Sequence, residues 1–223
     1  MKSMHREIIQ TRDGSHTLYV PELNEHYHSI HGAIQESRHI YIQHGIHHRD
    51  QDPLHILEAG FGTGLNAYLT LIDTTRHPRH VIYHSYEKYP LNPEEVSLLN
   101  YPAHLPFEQP GLFEKLHAAD WETNVSITPH FTLHKHQADF SEVSFQEVFD
   151  IVFFDAFAPD VQPHLWSEAI LSLFYTALKP GGILVTYCVK GSVKQTLRRL
   201  GFTLQRLPGP PGKHEMLRAT KPA

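Results

Sequence analysis

Residues 55–66 read HILEAGFGTGLN. A short apolar run ends in an acid, and glycines then stand at 60, 62 and 64, ahead of a stretch with helical periodicity. A strand that feeds a glycine turn and then a helix demands a sheet whose strands run parallel, with helices returning over its faces. The rest of the chain keeps that alternation. HVIYHSYEK (80–88), FTLHKHQ (131–137), FDIVFFDAF (149–157) and ILVTYC (183–188) read as strands. GLNAYLTLID (64–73), PHLWSEAILSLFYTAL (163–178) and SVKQTLRRL (192–200) read as helices, the last stopped by Gly201. NPEEVSLLN (92–100) is a short helix with Asn92 as cap, Pro93 in its first turn and Glu95 completing a capping box. KPGG (179–182) is a turn.

The ends of the pattern differ from its middle. Residues 1–50 read as a mixed extension, with SHTLYV (15–20) as a strand and SIHGAIQESRHIYIQHGI (29–46) as irregular helix. Residues 101–130, rich in Pro and aromatics, read as an insertion. FTLQRL (202–207) and HEMLRAT (214–220) have only PGPPGK between them, so they form an antiparallel pair at the sheet edge. The expectation is one domain over 1–223, with an N-terminal extension and a core from residue 51. Its 223 residues suffice for a full core. No apolar run approaches the roughly 18 residues of a membrane span, and MKSMHREIIQ has no apolar leader segment. Cys188 is the only cysteine, which excludes a disulfide framework. A cytoplasmic protein is expected, with no protein partner evident.

Charge is unevenly spread. Residues 181–223 hold eight Lys and Arg against Glu215 alone, while the chain as a whole is at −5. Either a solvated basic face or a face for a polyanion accounts for this. Lys190, Lys194 and Arg198 follow a spacing of four on one side of a helix, and Lys213 sits beside two prolines that are expected to hold it outward. Twenty histidines include clusters at 26, 28 and 31, at 44, 47 and 48, and at 134 and 136. No His joins a carboxylate in a linear motif such as H-E-x-x-H, so these are read as surface polar residues, and no metal is expected.

In open parallel sheets, ligands lie beyond the carboxyl ends of the strands. Gly60, Gly62 and Gly64 fall there, where missing side chains allow close backbone approach. The helix that follows presents free N–H groups to an anionic group. A dinucleotide and S-adenosylmethionine both suit such a turn, as does a mere tight turn. The dinucleotide pattern G-x-G-x-x-G needs glycine at 65, where Leu65 stands. The closing hairpin likewise departs from a continued βαβ unit. Glu87, at the end of the second core strand, can accept two ribose hydroxyls. Asp139, after the third, can accept an adenine amino group. Asp155 follows four apolar residues at a strand tip, as either a structural hydrogen-bond hub or part of a site.

The pieces YHS (27–29), GAIQES (32–37), EAGFGTGLNAYL (58–69), YEKYPL (86–91), FFDAFAPDVQPHLW (153–166), KPGGILVTYCVKGSVKQTLRRLGF (179–202) and PGKHEML (211–217) carry a resemblance over most of the chain. The sequence resembles the MnmC-type tRNA methyltransferase family. The resemblance implies a Rossmann-like class I S-adenosylmethionine (SAM)-dependent methyltransferase, α/β, with a mostly parallel sheet ending in an antiparallel hairpin. It implies SAM contacts from Glu58, Gly60, Phe61, Gly62, Thr63, Gly64, Asn66, Glu87, Lys88, Asp139 and Asp155. It implies tRNA contacts from Tyr27, Lys190, Lys194, Arg198 and Lys213. One departure is local: the family's D-x-Y-F-S reads as NEHYHS here. Bifunctional members carry a following oxidase domain, and this chain is expected to carry the methyltransferase half.

The implied reaction methylates the primary amine of 5-aminomethyl-(2-thio)uridine at the tRNA wobble position. Such an amine has a pKa of roughly 10.4 in water and attacks only when neutral. Asp155 is the expected group to orient it and take its proton. Phe61, Tyr86, Phe157, Trp166 and Tyr187 are expected either to wall the pocket or to pack in the core. Alternatives on the same fold are a small-molecule methyltransferase or an aminopropyltransferase; outside enzymology stands a tRNA-binding module without turnover.

Overall fold

The structure, a computed structural model, describes residues 5–105, 110–144 and 146–223. Residues 1–4, at the start of the expected leader-free N-terminus, 106–109, inside the expected insertion, and 145 lie outside the described residues. The elements run β1 (Glu7–Gln10), β2 (His16–Val20), β3 (Glu25–His26), α1 (Ala33–Ser37), β4 (Leu54–Ala59), α2 (Leu65–Arg76), β5 (Val81–Tyr86), α3 (Pro93–Ser97), α4 (Tyr101–His104), α5 (Leu112–Ala118), β6 (Asn124–Thr128), β7 (Phe131–His136), β8 (Phe149–Phe154), α6 (Glu168–Ala177), β9 (Leu178–Thr186), α7 (Gly191–Arg199), β10 (Thr203–Pro208) and β11 (Glu215–Thr220).

Eight strands form the main sheet in the order β10-β11-β9-β8-β4-β5-β7-β6. β4, β5, β7, β8 and β9 are parallel to one another. β11 and β10 close one edge antiparallel, as their helix-free connection demands. β8 has both faces covered, and every residue from Phe149 to Phe154 is buried. That explains its unbroken apolar run. The chain leaves β4 toward β5 and β7, then crosses back to β8 on the other side, so the crevice opens at the carboxyl ends of β4 and β8.

The N-terminal extension is part of the core. β1, β2 and β3 make a small antiparallel sheet. After α1 the chain widens into a π-helical turn over Arg38–Gln43, which buries Ile40, Tyr41 and Ile42. These pack with α2 in one cluster with Leu65, Tyr68 and Leu69. Consequently α2 is buried nearly all round, from Leu65 to Thr74, as its two-sided apolar sequence requires. The opposite face of the sheet is covered by α6 and α7, through Ile170, Leu171, Phe174, Val193 and Leu197.

Three details differ from the sequence expectations. The stretch 101–130 holds α4, α5 and β6, and β6 pairs with β7 at the sheet edge, so it is integrated in the β5-to-β7 crossover. KPGG lies within β9 as a loop-out. The register steps from Phe149↔Leu178 to Ile151↔Ile183, with Gly181 at φ +77°. β1 and β3 went unread because EIIQ and EH carry almost no alternation. The capping box at α3 is present, with both reciprocal bonds between Asn92 and Glu95. Among the described residues no helix is long and apolar enough to cross a membrane.

Asp150 ties the base of the sheet together. Its buried carboxylate accepts from the His55 backbone N–H at 2.9 Å and from the Lys179 ammonium at 3.0 Å. It thus joins β4, β8 and the looped-out start of β9. Asp150→Ala is expected to cost about 2–4 kcal/mol, because a part-buried N–H and a half-buried ammonium both lose their partner. Urea unfolding checks this; a loss within error would show that water replaces the carboxylate at no cost.

Candidate active site: two cavities that meet at Asp155

Beyond β4 the chain turns through Gly60–Gly64. Gly62 sits at φ +50°, a conformation L side chains rarely adopt, and an added Cβ would stand 3.1 Å from the Tyr27 ring. The loop is fastened on three sides. The Gly62 N–H donates to Glu87 Oε2 at 3.0 Å. Thr63 Oγ1 lies 2.8 Å from His28 Nε2. His117 Nε2 reaches the Thr63 carbonyl at 3.1 Å. Burial lowers the pKa of both imidazoles, that of His117 to about 4, so each serves as a neutral hydrogen-bonding ring.

A cavity opens along this loop, lined by Gly60, Phe61, Gly62, Thr63, Asn66, Tyr86, Glu87, Lys88, Asp139 and Asp155, with Tyr27, His28, Phe140, Phe157 and Leu165. Glu87 uses one lone pair on each oxygen, for the Gly62 and Tyr89 N–H groups. A carboxylate offers about four acceptor sites, so capacity for a diol remains. Lys88 and Asp139 pair at 2.7 Å on the rim.

Asp155 caps β8 where two cavities meet. The second is lined by Glu25, His26, Ser29, Glu36, Tyr187 and Lys213, and it shares Tyr27, His28, Asp155, Ala156 and Phe157 with the first. The Asn66 amide donates to Asp155 Oδ2 at 2.9 Å. Burial raises the Asp155 pKa, opposed by the nearby His28 and by the hydroxyl of Tyr41. The carboxylate is therefore more basic than one in water. It is also oriented, by helix α2 on one side and the N-terminal extension on the other.

Most of the sequence-predicted cofactor residues converge on the first cavity; two do not. Glu58 is fully buried beneath the loop, its Oε2 accepting from Ser85 Oγ at 2.7 Å, and it does not line the cavity. Gly64 also stands off it. As the residue before α2 it leaves room for His117, whose Nε2 an added Cβ would meet at 2.7 Å. Phe61, Tyr86 and Phe157 line the first cavity and Tyr187 the second. Trp166 packs on Phe154 and donates its indole N–H to the Phe157 carbonyl at 2.8 Å, so it braces the wall from behind.

The basic third of the chain is also corrected. Lys213 does not point outward. The Pro210–Gly212 turn folds back, and the Lys213 ammonium pairs with Glu36 and stands 4.1 Å over the Tyr187 ring, inside the second cavity. Lys190 pairs with Asp160, Arg199 with Glu168 and Lys221 with Glu147. Acids from earlier in the chain thus balance much of the excess. Lys194, half-exposed, and Arg198, exposed, remain on the outer side of α7. Sequence reasoning missed Glu36, Tyr41 and His28 as site residues. Glu36 and His28 lay within the GAIQES and YHS pieces, but no strand-tip position marked them.

Comparison with known proteins agrees with this geometry. The sequence profile of a family described as S-adenosyl-L-methionine-dependent methyltransferase matches residues 111–222. The tRNA 5-methylaminomethyl-2-thiouridine biosynthesis bifunctional protein MnmC of Leptospira borgpetersenii is 28% identical over 204 residues, covering 86% of this chain and 31% of that protein. The protein of the same name from Delftia acidovorans is 28% identical over 222 residues, covering 93% and 34%. The chain spans about a third of the length of these curated relatives. The crystal structure of MnmC2 from Aquifex aeolicus superposes with a TM-score of 0.79 at 28% identity, covering 100% of this chain and 73% of that one. Spermidine synthase from Thermotoga maritima shares the fold, with a TM-score of 0.58 at 15% identity over 99% and 70% of the two chains.

Two outcomes are expected. Gly62→Val should abolish calorimetrically detectable S-adenosylhomocysteine binding, since its side chain collides with Tyr27 in a strained backbone; unchanged affinity would detach the loop from the cofactor. Burial raises the Glu58 pKa from 4.5 to about 8. Between those values the folded protein holds a proton that the unfolded chain has released, so stability falls as pH rises across that window. Glu58→Gln removes the effect. The thermal midpoint of wild type relative to the variant should decline from about pH 5 to about pH 9, and a flat difference would mean an ordinary carboxylate.

Proposed function

The chain belongs to the S-adenosyl-L-methionine-dependent methyltransferase family, and on that premise we propose that it methylates the aminomethyl nitrogen of 5-aminomethyl-(2-thio)uridine at the wobble position of tRNA, giving the 5-methylaminomethyl product. The observation that carries the proposal is the partly buried carboxylate of Asp155, shared by a cavity suited to SAM and a second cavity suited to an acceptor. The printed functions of the Leptospira and Delftia relatives supply the substrate class. A polyamine acceptor, as in aminopropyl transfer, is disfavoured by the printed function of these relatives.

The residues present fit the cofactor. Backbone from Gly60 to Thr63 would meet the methionine portion, Glu87 would accept the ribose hydroxyls, and Asp139 would accept the adenine amino group. When bound, SAM supplies an electrophilic methyl group and leaves as S-adenosylhomocysteine.

The chain's own residues handle the amine. Phe157 and Tyr187 exclude water from it, and that desolvation favours its neutral, nucleophilic form. Asp155 accepts a hydrogen bond from the nitrogen and then the proton released as the N–C bond forms. Its raised pKa makes it the better base for this task. Asn66 holds the carboxylate in one orientation, which supplies the alignment that in-line transfer needs. Lys213, neutralised by Glu36, orders the floor of the acceptor cavity. Tyr27, which lines both cavities, and Lys190, Lys194 and Arg198, at the start of α7 and along it, make up the proposed tRNA face, in the cytoplasm where tRNA is finished.

Incubation of the protein and SAM with tRNA bearing aminomethyl-thiouridine, followed by nucleoside mass spectrometry, tests the proposal. The expected product gains a methyl group on that nucleoside. Asp155→Asn should lower kcat by about 100-fold or more while the KM for SAM moves little. Methylation elsewhere in the tRNA, or of free amines only, would overturn the substrate assignment. Normal turnover in Asp155→Asn would leave that residue as a structural hub.

A further inference from the structure

On the sheet face opposite α2, near the β6 edge, three histidines from two strands converge. His84 and His134 are directly paired residues of the parallel strands β5 and β7, and His136 lies two positions further on the same face. One ring nitrogen from each falls within 4.8 Å of the other two. The closest approach, His84 Nδ1 to His136 Nε2, is 3.1 Å. A tetrahedral ion with metal–nitrogen bonds of about 2.0–2.1 Å holds its ligand nitrogens about 3.3 Å apart. The rings are stacked, His134 on His136 at 3.8 Å and His84 on His136 at 5.4 Å, so ligation requires ring rotations that turn the three nitrogens toward one point.

We propose that His84, His134 and His136 bind a divalent transition ion of the imidazole-preferring class, with Zn2+ as the representative, leaving a fourth position to solvent.

Two further features mark the cluster. His136 presents Nε2 to the cluster because its Nδ1 faces Glu122 Oε2 at 3.2 Å. A carboxylate on the far nitrogen is the usual support for a metal-bound imidazole, fixing its tautomer and orientation. Glu122 is itself clamped, since its Oε1 accepts from the Gln137 N–H and its backbone is held at φ +59°. A non-glycine residue is uncommon in that region. The second feature is access. The β7-to-β8 connection carries only a 3₁₀ turn, Phe140–Glu142, among its described residues. The three residues are partly exposed, with the His136 side chain 15% exposed. A second group among the described residues, His47–Asp73–His77, is a weaker candidate, because the Arg79 guanidinium already lies 3.9 Å from Asp73.

The linear sequence suggested no metal because no single segment carries the ligand spacing; strand pairing assembles it. The Tyr86 ring stacks on His136 at 4.2 Å and also lines the first cavity, so the ion site lies one side chain from the cofactor cleft.

The test uses the full chain without an affinity tag, stripped with chelator, dialysed and titrated with Zn2+ by calorimetry. One equivalent should bind with micromolar or tighter affinity, and Co2+ should give the visible spectrum of a tetrahedral site. His134→Gln should abolish the stoichiometric phase. Glu122→Gln, a change on an exposed loop, should weaken binding about ten-fold or more through the lost carboxylate. His47→Ala should leave it unaltered. The proposal is overturned if wild type shows no stoichiometric binding, or if binding survives His134→Gln and Glu122→Gln but is lost in His47→Ala.

Discussion

The desolvation of one carboxylate organises this molecule. Asp155 stands at the tip of the most buried strand, where water is largely excluded, and a charge there needs partners. The groups around it come from distant parts of the chain: Asn66, from the first turn of α2, donates a hydrogen bond, while His28, just after β3, and Tyr41, from the π-helical turn, stand near it. To reach Asp155 the N-terminal fifty residues must fold onto the core, and in doing so they cover α2 and build the wall between the two cavities. The glycine loop depends on the same arrangement, since His28 fastens Thr63 and Tyr27 packs against Gly62. Fold and site are therefore one construction.

Much of this was legible in the sequence, because it is local or periodic. The alternation of elements, the capping box at Asn92–Glu95, the closing hairpin and the strand-tip placement of Gly60, Glu87, Asp139 and Asp155 all follow from patterns within a few residues. What escaped was set by tertiary pairing. The family resemblance implied a SAM contact from Glu58, yet strand alternation turns its side chain into the core toward Ser85. Lys213 read as outward because prolines flank it, yet the turn they form aims it at Glu36. The excess of basic residues at the C-terminal end read as a field. Its partners Asp160, Glu168, Glu147 and Glu36 are remote in sequence and adjacent in space.

The histidine triad belongs to the same class. His134 and His136 are visible as a pair, but only the register of β5 against β7 brings His84 beside them. The linear motifs that identify metal sites arise when ligands share a helix or a loop; a set distributed over parallel strands leaves no such trace.

The central claim is that SAM and an RNA-borne amine enter from two cavities and meet at Asp155. A crystal structure with S-adenosylhomocysteine and an anticodon stem-loop bearing aminomethyl-thiouridine tests it most directly. The account predicts S-adenosylhomocysteine along Gly60–Thr63 and Glu87, with the acceptor base between Glu36, Tyr187 and Lys213 and its amine hydrogen-bonded to Asp155. An acceptor base bound away from the second cavity, with its amine out of reach of Asp155, would contradict it.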